Sequence, residues 1–173
     1  DIGFLFIPEV DAGVWIEFEE GDLEFPIWVG TYWSKPGGES ELPKPNDSDG
    51  SEQPSVQDPP TRKIIKTVKG HSIQLEDNDG EELVTIVEAT NQNVISMDQN
   101  GITIKDGTGT IKIEDASGNE VLMDSSGINI SDASGNEVTM NGQGIACSDL
   151  NGNTIKMDAM SGFFGDPGVK VNA

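Results

Sequence analysis

The sequence predicts an all-β protein whose C-terminal half is a repetitive β-solenoid, wound together with two identical chains into a needle-like shaft. Three observations predict it. Residues 115–158 contain a 17-residue repeat that runs without drift. Glycines fall at 101, 109, 118, 127, 135, 144 and 152, in steps of eight or nine. Between successive glycines stand two apolar residues at i and i+2, the spacing that puts both on one face of a strand.

The first region, residues 1–33, carries all three Trp and most of the other aromatics. Residues 2–7 read as a strand-like run. Val14-Trp15-Ile16-Glu17-Phe18-Glu19 and Phe25-Pro26-Ile27-Trp28-Val29-Gly30 flank the turn signal Glu20-Gly21-Asp22, which predicts a hairpin. Two or three strands are not stable alone. They are expected to be the end of a larger barrel or to dock on copies of themselves, and a start at Asp1 with no Met suggests a missing upstream part.

Residues 34–62 are rich in Pro, Ser, Asp and Glu and end in Asp58-Pro59-Pro60 before β-forming sequence resumes. Such a segment offers little apolar surface to offset chain entropy, and its prolines block regular ladders. It reads as an extended, mobile linker.

Residues 63–162 are the expected shaft. The block from Asp115 to Ser131 matches the block from Asp132 to Ser148 position for position, and Asp149 begins a third copy. Each glycine step is one strand and one corner, and the inward pairs are Ile102/Ile104, Ile111/Ile113, Val121/Met123, Ile128/Ile130, Val138/Met140, Ile145/Cys147 and Ile155/Met157. Cys147 is the single cysteine, which excludes an intrachain disulfide and reads as a small buried hydrophobe. Residues 163–173 form the tip, with Phe163, Phe164, Val169 and Val171 as its apolar side chains.

Two side chains per short strand make a slender core. Burying each contributes roughly 2 kcal/mol, whereas ordering each backbone residue costs roughly 1–2 kcal/mol. Three chains around one axis remedy the deficit: strands pair with strands of the other copies, the apolar pairs meet in a dry column, and no free edge remains. Ten or eleven strands at about 4.8 Å each would give a shaft of roughly 50 Å. A monomeric β-helix is the alternative, distinguished by mass.

Composition excludes other classes. Asp and Glu outnumber Lys and Arg by 31 to 10, for a net charge of -21, a field that repels nucleic-acid backbones. No apolar run is long enough to span a bilayer and none reads as a signal peptide. The lone His71 and lone Cys147 lie far apart with no triad partner and no G-x-S-x-G elbow, so no catalytic residue is assigned. His71 reads as a strand residue. The calcium-like runs at 47–50 and 77–80 place Pro45 and Leu75 where an EF-hand needs its first Asp. No cofactor or metal site is expected.

Two motifs agree in order with this layout. Residues 8–22, from Pro8-Glu9-Val10 through Phe18-Glu19 to Gly21-Asp22, followed by Pro26-Ile27-Trp28-Val29-Gly30, and then Lys69-Gly70-His71-Ser72-Ile73, resemble the central spike protein of contractile phage baseplates. This is the baseplate assembly protein V family, related to spikes of type VI secretion and phage-like injection particles. The resemblance covers nearly the whole chain outside the linker. It implies that residues 1–33 are the C-terminal strands of an OB-fold collar, followed by an intertwined trimeric β-helix, a triangular prism.

The implied function is mechanical: a homotrimeric structural spike under the baseplate hub and tail tube, driven transiently through the target's outer membrane. It implies a place in the virion tail baseplate, or in an extracellular injection particle, assembled in a host cytoplasm. The linker is too short for the lysozyme domain some relatives carry, and the tip lacks the His-x-His pair by which others bind iron. Its own phenylalanines could plug the tip, or a PAAR-type tip protein could dock there, which is the favoured reading. The alternative function is a fibre or adhesin stalk that binds a cell-surface glycan. Only about ten residues follow the last repeat, too few for a receptor-binding head.

Overall fold

The computed structural model describes residues 3, 5–38, 40–158 and 168–172. It is all-β, with two single 3-10 turns, and divides into two compact units: residues 1–45 with Glu52–Pro60, and Asn46–Ser51 with residues 61–173.

In the first unit β1 (Val14–Phe18) and β2 (Pro26–Thr31) form the expected antiparallel hairpin. A 3-10 turn at Glu19–Gly21 starts the connection, and Glu19 N–H donates to the Phe25 carbonyl at 3.1 Å to close it. Ile16 stands opposite Trp28 and Phe18 opposite Pro26, while Ile27 stands opposite Glu17 on the other face. Apolar groups therefore lie on both faces, the pattern of a ribbon that belongs inside a larger sheet. The described residues of the run 2–7 form no strand.

The second unit holds two antiparallel meanders. The five-stranded sheet is β3 (Arg62–Lys66), β4 (Ser72–Glu76), β5 (Leu83–Glu88), β6 (Asn93–Asp98) and β7 (Gly101–Lys105), paired in chain order. The seven-stranded sheet is β8 (Ile111–Glu114), β9 (Glu120–Asp124), β10 (Gly127–Ser131), β11 (Glu137–Asn141), β12 (Gly144–Ser148), β13 (Thr154–Asp158) and β14 (Gly168–Asn172), also in chain order. Eleven strands, β3 to β13, lie between Arg62 and Asp158, matching the count read from the glycine spacing.

The path differs from the expected solenoid in two respects. Each interior strand of the two sheets pairs on both edges with its own sequence neighbours, where pairing with strands of other copies was expected. The reason is corner length: two to six residues join successive strands between β3 and β13, enough for hairpins, whereas parallel coils need crossovers of a dozen or more. The expected shaft is also not one ladder within the chain, because β7 and β8 belong to different sheets.

Residues 46–51 depart from the mobile linker the composition suggested, because they pack in the second unit. Asn46 is buried; its N–H donates to Gln74 Oε1 at 2.8 Å, and Ser72 Oγ donates to its Oδ1 at 3.2 Å. Gln74 Nε2 and the Arg62 guanidinium complete the ring around it. Gly50 sits so close to Val94 that a Cβ would lie 2.4 Å from a valine methyl.

Candidate assembly interface

Register decides which side chains share a face. In the seven-stranded sheet one unbroken row of cross-strand partners runs Ile111, Met123, Ile128, Met140, Ile145, Met157 and Val169, and a second runs Ile113, Val121, Ile130, Val138, Cys147, Ile155 and Val171. Directly opposed residues point to the same face. All ten inward residues predicted between 121 and 157, together with Ile111 and Ile113, thus form two apolar columns.

The columns have a counterpart in the five-stranded sheet. Ile65, Ile73, Ile86, Ile95 and Ile104 form one row, and Lys63, Leu75, Val84, Met97 and Ile102 the other. Only Ile102 and Ile104 of these were expected as core residues. Glycine pacing missed the rest, since the corners at 77–82 and 89–92 lack regularly placed glycines. The period-two alternation through residues 73–97 was the signal that could have found them.

Burial across this sheet is inverted. Gln74 is 1% exposed and Thr85 0%, with Ser72, Glu76, Val87, Val94 and Ser96 also buried, all on the face opposite the apolar columns. Ile102 is 72% exposed, and Ile65, Ile73, Leu75, Ile86, Ile95, Met97 and Ile104 are exposed as well. Farther along, Ile128, Ile130, Ile145, Ile155 and Met157 are likewise exposed in the single chain, and so is Cys147, which was expected to be buried. Within each sheet the register sets these side chains in one apolar strip, and a strip of this extent marks an interaction site.

Arg62 and Glu76 form a buried pair, Nε to Oε2 at 3.1 Å, and Glu76 Oε1 accepts the backbone N–H groups of Asp77 and Asn78. The Thr85 hydroxyl has no hydrogen-bond partner.

His71 lies just before β4, not in a strand, and its Nδ1 accepts the Ala89 N–H at 3.1 Å. That contact pins the corner between β3 and β4 to the one between β5 and β6.

The repeat's long corners are self-contained. In residues 115–119 the Asp115 carboxylate accepts the Ser117 and Asn119 N–H groups and the Asn119 side-chain amide, at 2.7–3.0 Å. Asp132 and Asp149 repeat the arrangement with Asn136 and Asn153. The asparagine amide, then the backbone N–H groups, hold all three carboxyls below the ordinary aspartate value. Among the described residues no group of three or more His, Cys, Asp and Glu could hold a metal ion.

At the predicted tip, Phe163 and Phe164 lie outside the described residues. Val169 and Val171 lie in β14, whose backbone pairs with Met157 and Ile155 of β13.

Comparison with known proteins places two segments of the chain. Residues 1–33 match the type VI secretion system/phage-baseplate injector OB domain. Residues 63–117 match the phage baseplate V C-terminal trimerisation domain. No curated protein matches the chain. A segment matching an OB domain, then one matching a trimerisation domain that takes in the five-stranded meander and β8, occur here in the order the motifs predicted, and the chain belongs to the baseplate spike family of phage baseplate V.

Proposed function

We propose that this protein is the homotrimeric central spike of a contractile tail baseplate, and that it pierces the target's outer membrane mechanically when the sheath contracts. The structural baseplate role follows from the family. The two open apolar columns carry the rest of the reading. Three copies that turn these columns toward a shared axis bury them mutually, at about 25 cal/mol for each Å² of apolar surface removed from water. The trimer core is then Ile102, Ile104, Ile111, Ile113, Val121, Met123, Ile128, Ile130, Val138, Met140, Ile145, Cys147, Ile155 and Met157, joined by the upstream isoleucines.

Residues 1–33 serve as part of the collar beneath the hub and tail tube, 34–62 as the connection, 63–162 as the shaft and 163–173 as the tip, where a PAAR-type protein docks. Assembly takes place in the host cytoplasm before the particle reaches its target. The acidic exterior gives the shaft no affinity for lipid phosphate, and it touches the membrane only in passing.

Sedimentation analysis tests the assembly. The wild-type chain should run at three times its mass, and Val138→Asp or Met140→Asp should run as a monomer, because each would set three carboxylates at the axis. A trimer that survives either substitution means that those residues face outward. The mechanical role requires trimer dissociation and loss of β-structure to coincide, above the roughly 45–65 °C typical of mesophile domains; separate transitions would count against it.

A further inference from the structure

The repeat slips phase once, and the slip coincides with the break between the sheets. From β5 onward the corners are residues 89–92, 99–100, 106–110, 115–119, 125–126, 132–136, 142–143 and 149–153. Long and short alternate except around β8, which has a five-residue corner on each side. Five residues join β10 to β11 and β12 to β13 as paired hairpins. The same number leaves β7 and β8 as the outermost strands of separate sheets.

The corner at 106–110 is built differently from its counterparts. Asp115, Asp132 and Asp149 each donate their N–H to the carbonyl four residues on, at 3.0 Å, closing the hairpin. Among the described residues no such bond joins Asp106 to Thr110. The Asp106 carboxylate instead accepts the N–H groups of Thr108, Gly109 and Thr110. Thr110 stands where the closed corners have Asn119, Asn136 and Asn153, and so lacks the amide that holds the aspartate's second oxygen.

Gly109 has φ +138°, the value found at Gly101, Gly127 and Gly144, which open the strands just after the two-residue corners (+129° to +140°), not that of Gly118, Gly135 and Gly152 inside the long corners (+85° to +95°). Gly107 folds back onto the preceding long corner. Its N–H donates to Asn93 Oδ1 at 2.9 Å, and a Cβ there would lie 2.0 Å from the Asn91 carbonyl oxygen.

We propose that residues 106–110 are where each chain crosses from one wall of the trimer to the next, so that the open edge of β7 pairs antiparallel with β8 of a neighbouring copy. This rests on the homotrimer reading. The occupant is a second copy of this chain for three reasons. Setting Ile104 opposite Ile111 and Ile102 opposite Ile113 joins the apolar columns of the two sheets into continuous rows. The same register puts Thr103 opposite Lys112 and Gly101 opposite Glu114, with no like charges facing. Each copy gives one edge and receives one, a head-to-tail contact that closes under threefold rotation and leaves neither edge open to aggregation. The match to a trimerisation domain spans residues 63–117, and so contains both edges and the corner between them.

Cysteine pairing tests the crossing. Thr103→Cys and Lys112→Cys are combined in a Cys147→Ser background, with Thr103 also paired to Thr110→Cys and Glu114→Cys to cover neighbouring registers. After oxidation, a non-reducing denaturing gel should shift from the monomer band to a covalent trimer. Mixed trimers of chains that each carry one of the two cysteines should give dimers, which neither single variant gives alone. A cross-linked species of single-chain mass would show that β7 pairs with its own β8 and overturn the proposal.

Amide hydrogen exchange on the unmodified protein gives an independent reading. The β7 and β8 amides that face away from β6 and β9 should be as protected as those of β10. Fast exchange there in a protein that sediments as a trimer would overturn the crossing alone. A wild-type monomer would overturn the assembly reading beneath it.

Discussion

Single residues on the polar face of the five-stranded sheet carry the sharpest stability consequences. Arg62 and Glu76 have side chains 7% and 1% exposed and bond to each other, so removing one partner strands a buried charge. Glu76→Ala should cost about 3–5 kcal/mol, read by denaturant unfolding at fixed chain concentration because assembly couples to stability. Thr85 is the opposite case. Its hydroxyl is fully buried without a partner, and desolvating such a group is unfavourable. Thr85→Val should stabilise by about 1 kcal/mol in the same measurement, and destabilisation would reveal a partner for the hydroxyl. None of this cluster was legible in the sequence. Ser72, Gln74 and Glu76 alternate with Ile73 and Leu75 as solvent-facing residues do, and Asn46 reaches them across 28 positions from a segment whose composition reads as linker.

At the scale of strands and corners, the sequence carried most of the fold. Period-two alternation located both faces of each strand, and glycine spacing counted the corners. It did not show whether successive strands pair with each other or with other chains, because both arrangements need the same apolar pairs. Corner length decides that, and Asp106-Gly107-Thr108-Gly109-Thr110 shows its limit, having the length of a closed corner without the closure. The glycine intervals also hold the phase slip, as two successive steps of nine at 109–118 and 118–127.

The corner aspartates predict an acid response. Their carboxyls are held below the ordinary value by amide donors, so their contribution is complete above the unfolded-state value and is lost as pH falls through the lower folded-state one. Thermal melting should therefore be level from neutral pH to about 5, then decline below the unperturbed aspartate value of about 3.9. Replacing Asn119, Asn136 and Asn153 by Ala should flatten that decline; an equally steep acid limb in the triple variant would assign it to other carboxylates.

Along the chain, an aromatic hairpin whose sequence matches an OB domain precedes two meanders that keep one face apolar from β4 to β13. The apolar side chains were legible one pair at a time. Their exposure in the single chain was not, since a core shared among three copies looks in sequence like a core enclosed by one.

The exact recurrence of the 17-residue unit also makes the protein behave as a ruler. Because each unit contains one long and one short corner, the strand after it runs in the original direction and both rows of side chains stay in line. Copying residues 132–148 in tandem should lengthen the particle by two strand spacings, about 9–10 Å, visible by small-angle scattering, with trimer mass rising only by the inserted residues. Reach could then be set by counting units, with no new packing problem to solve at each increment.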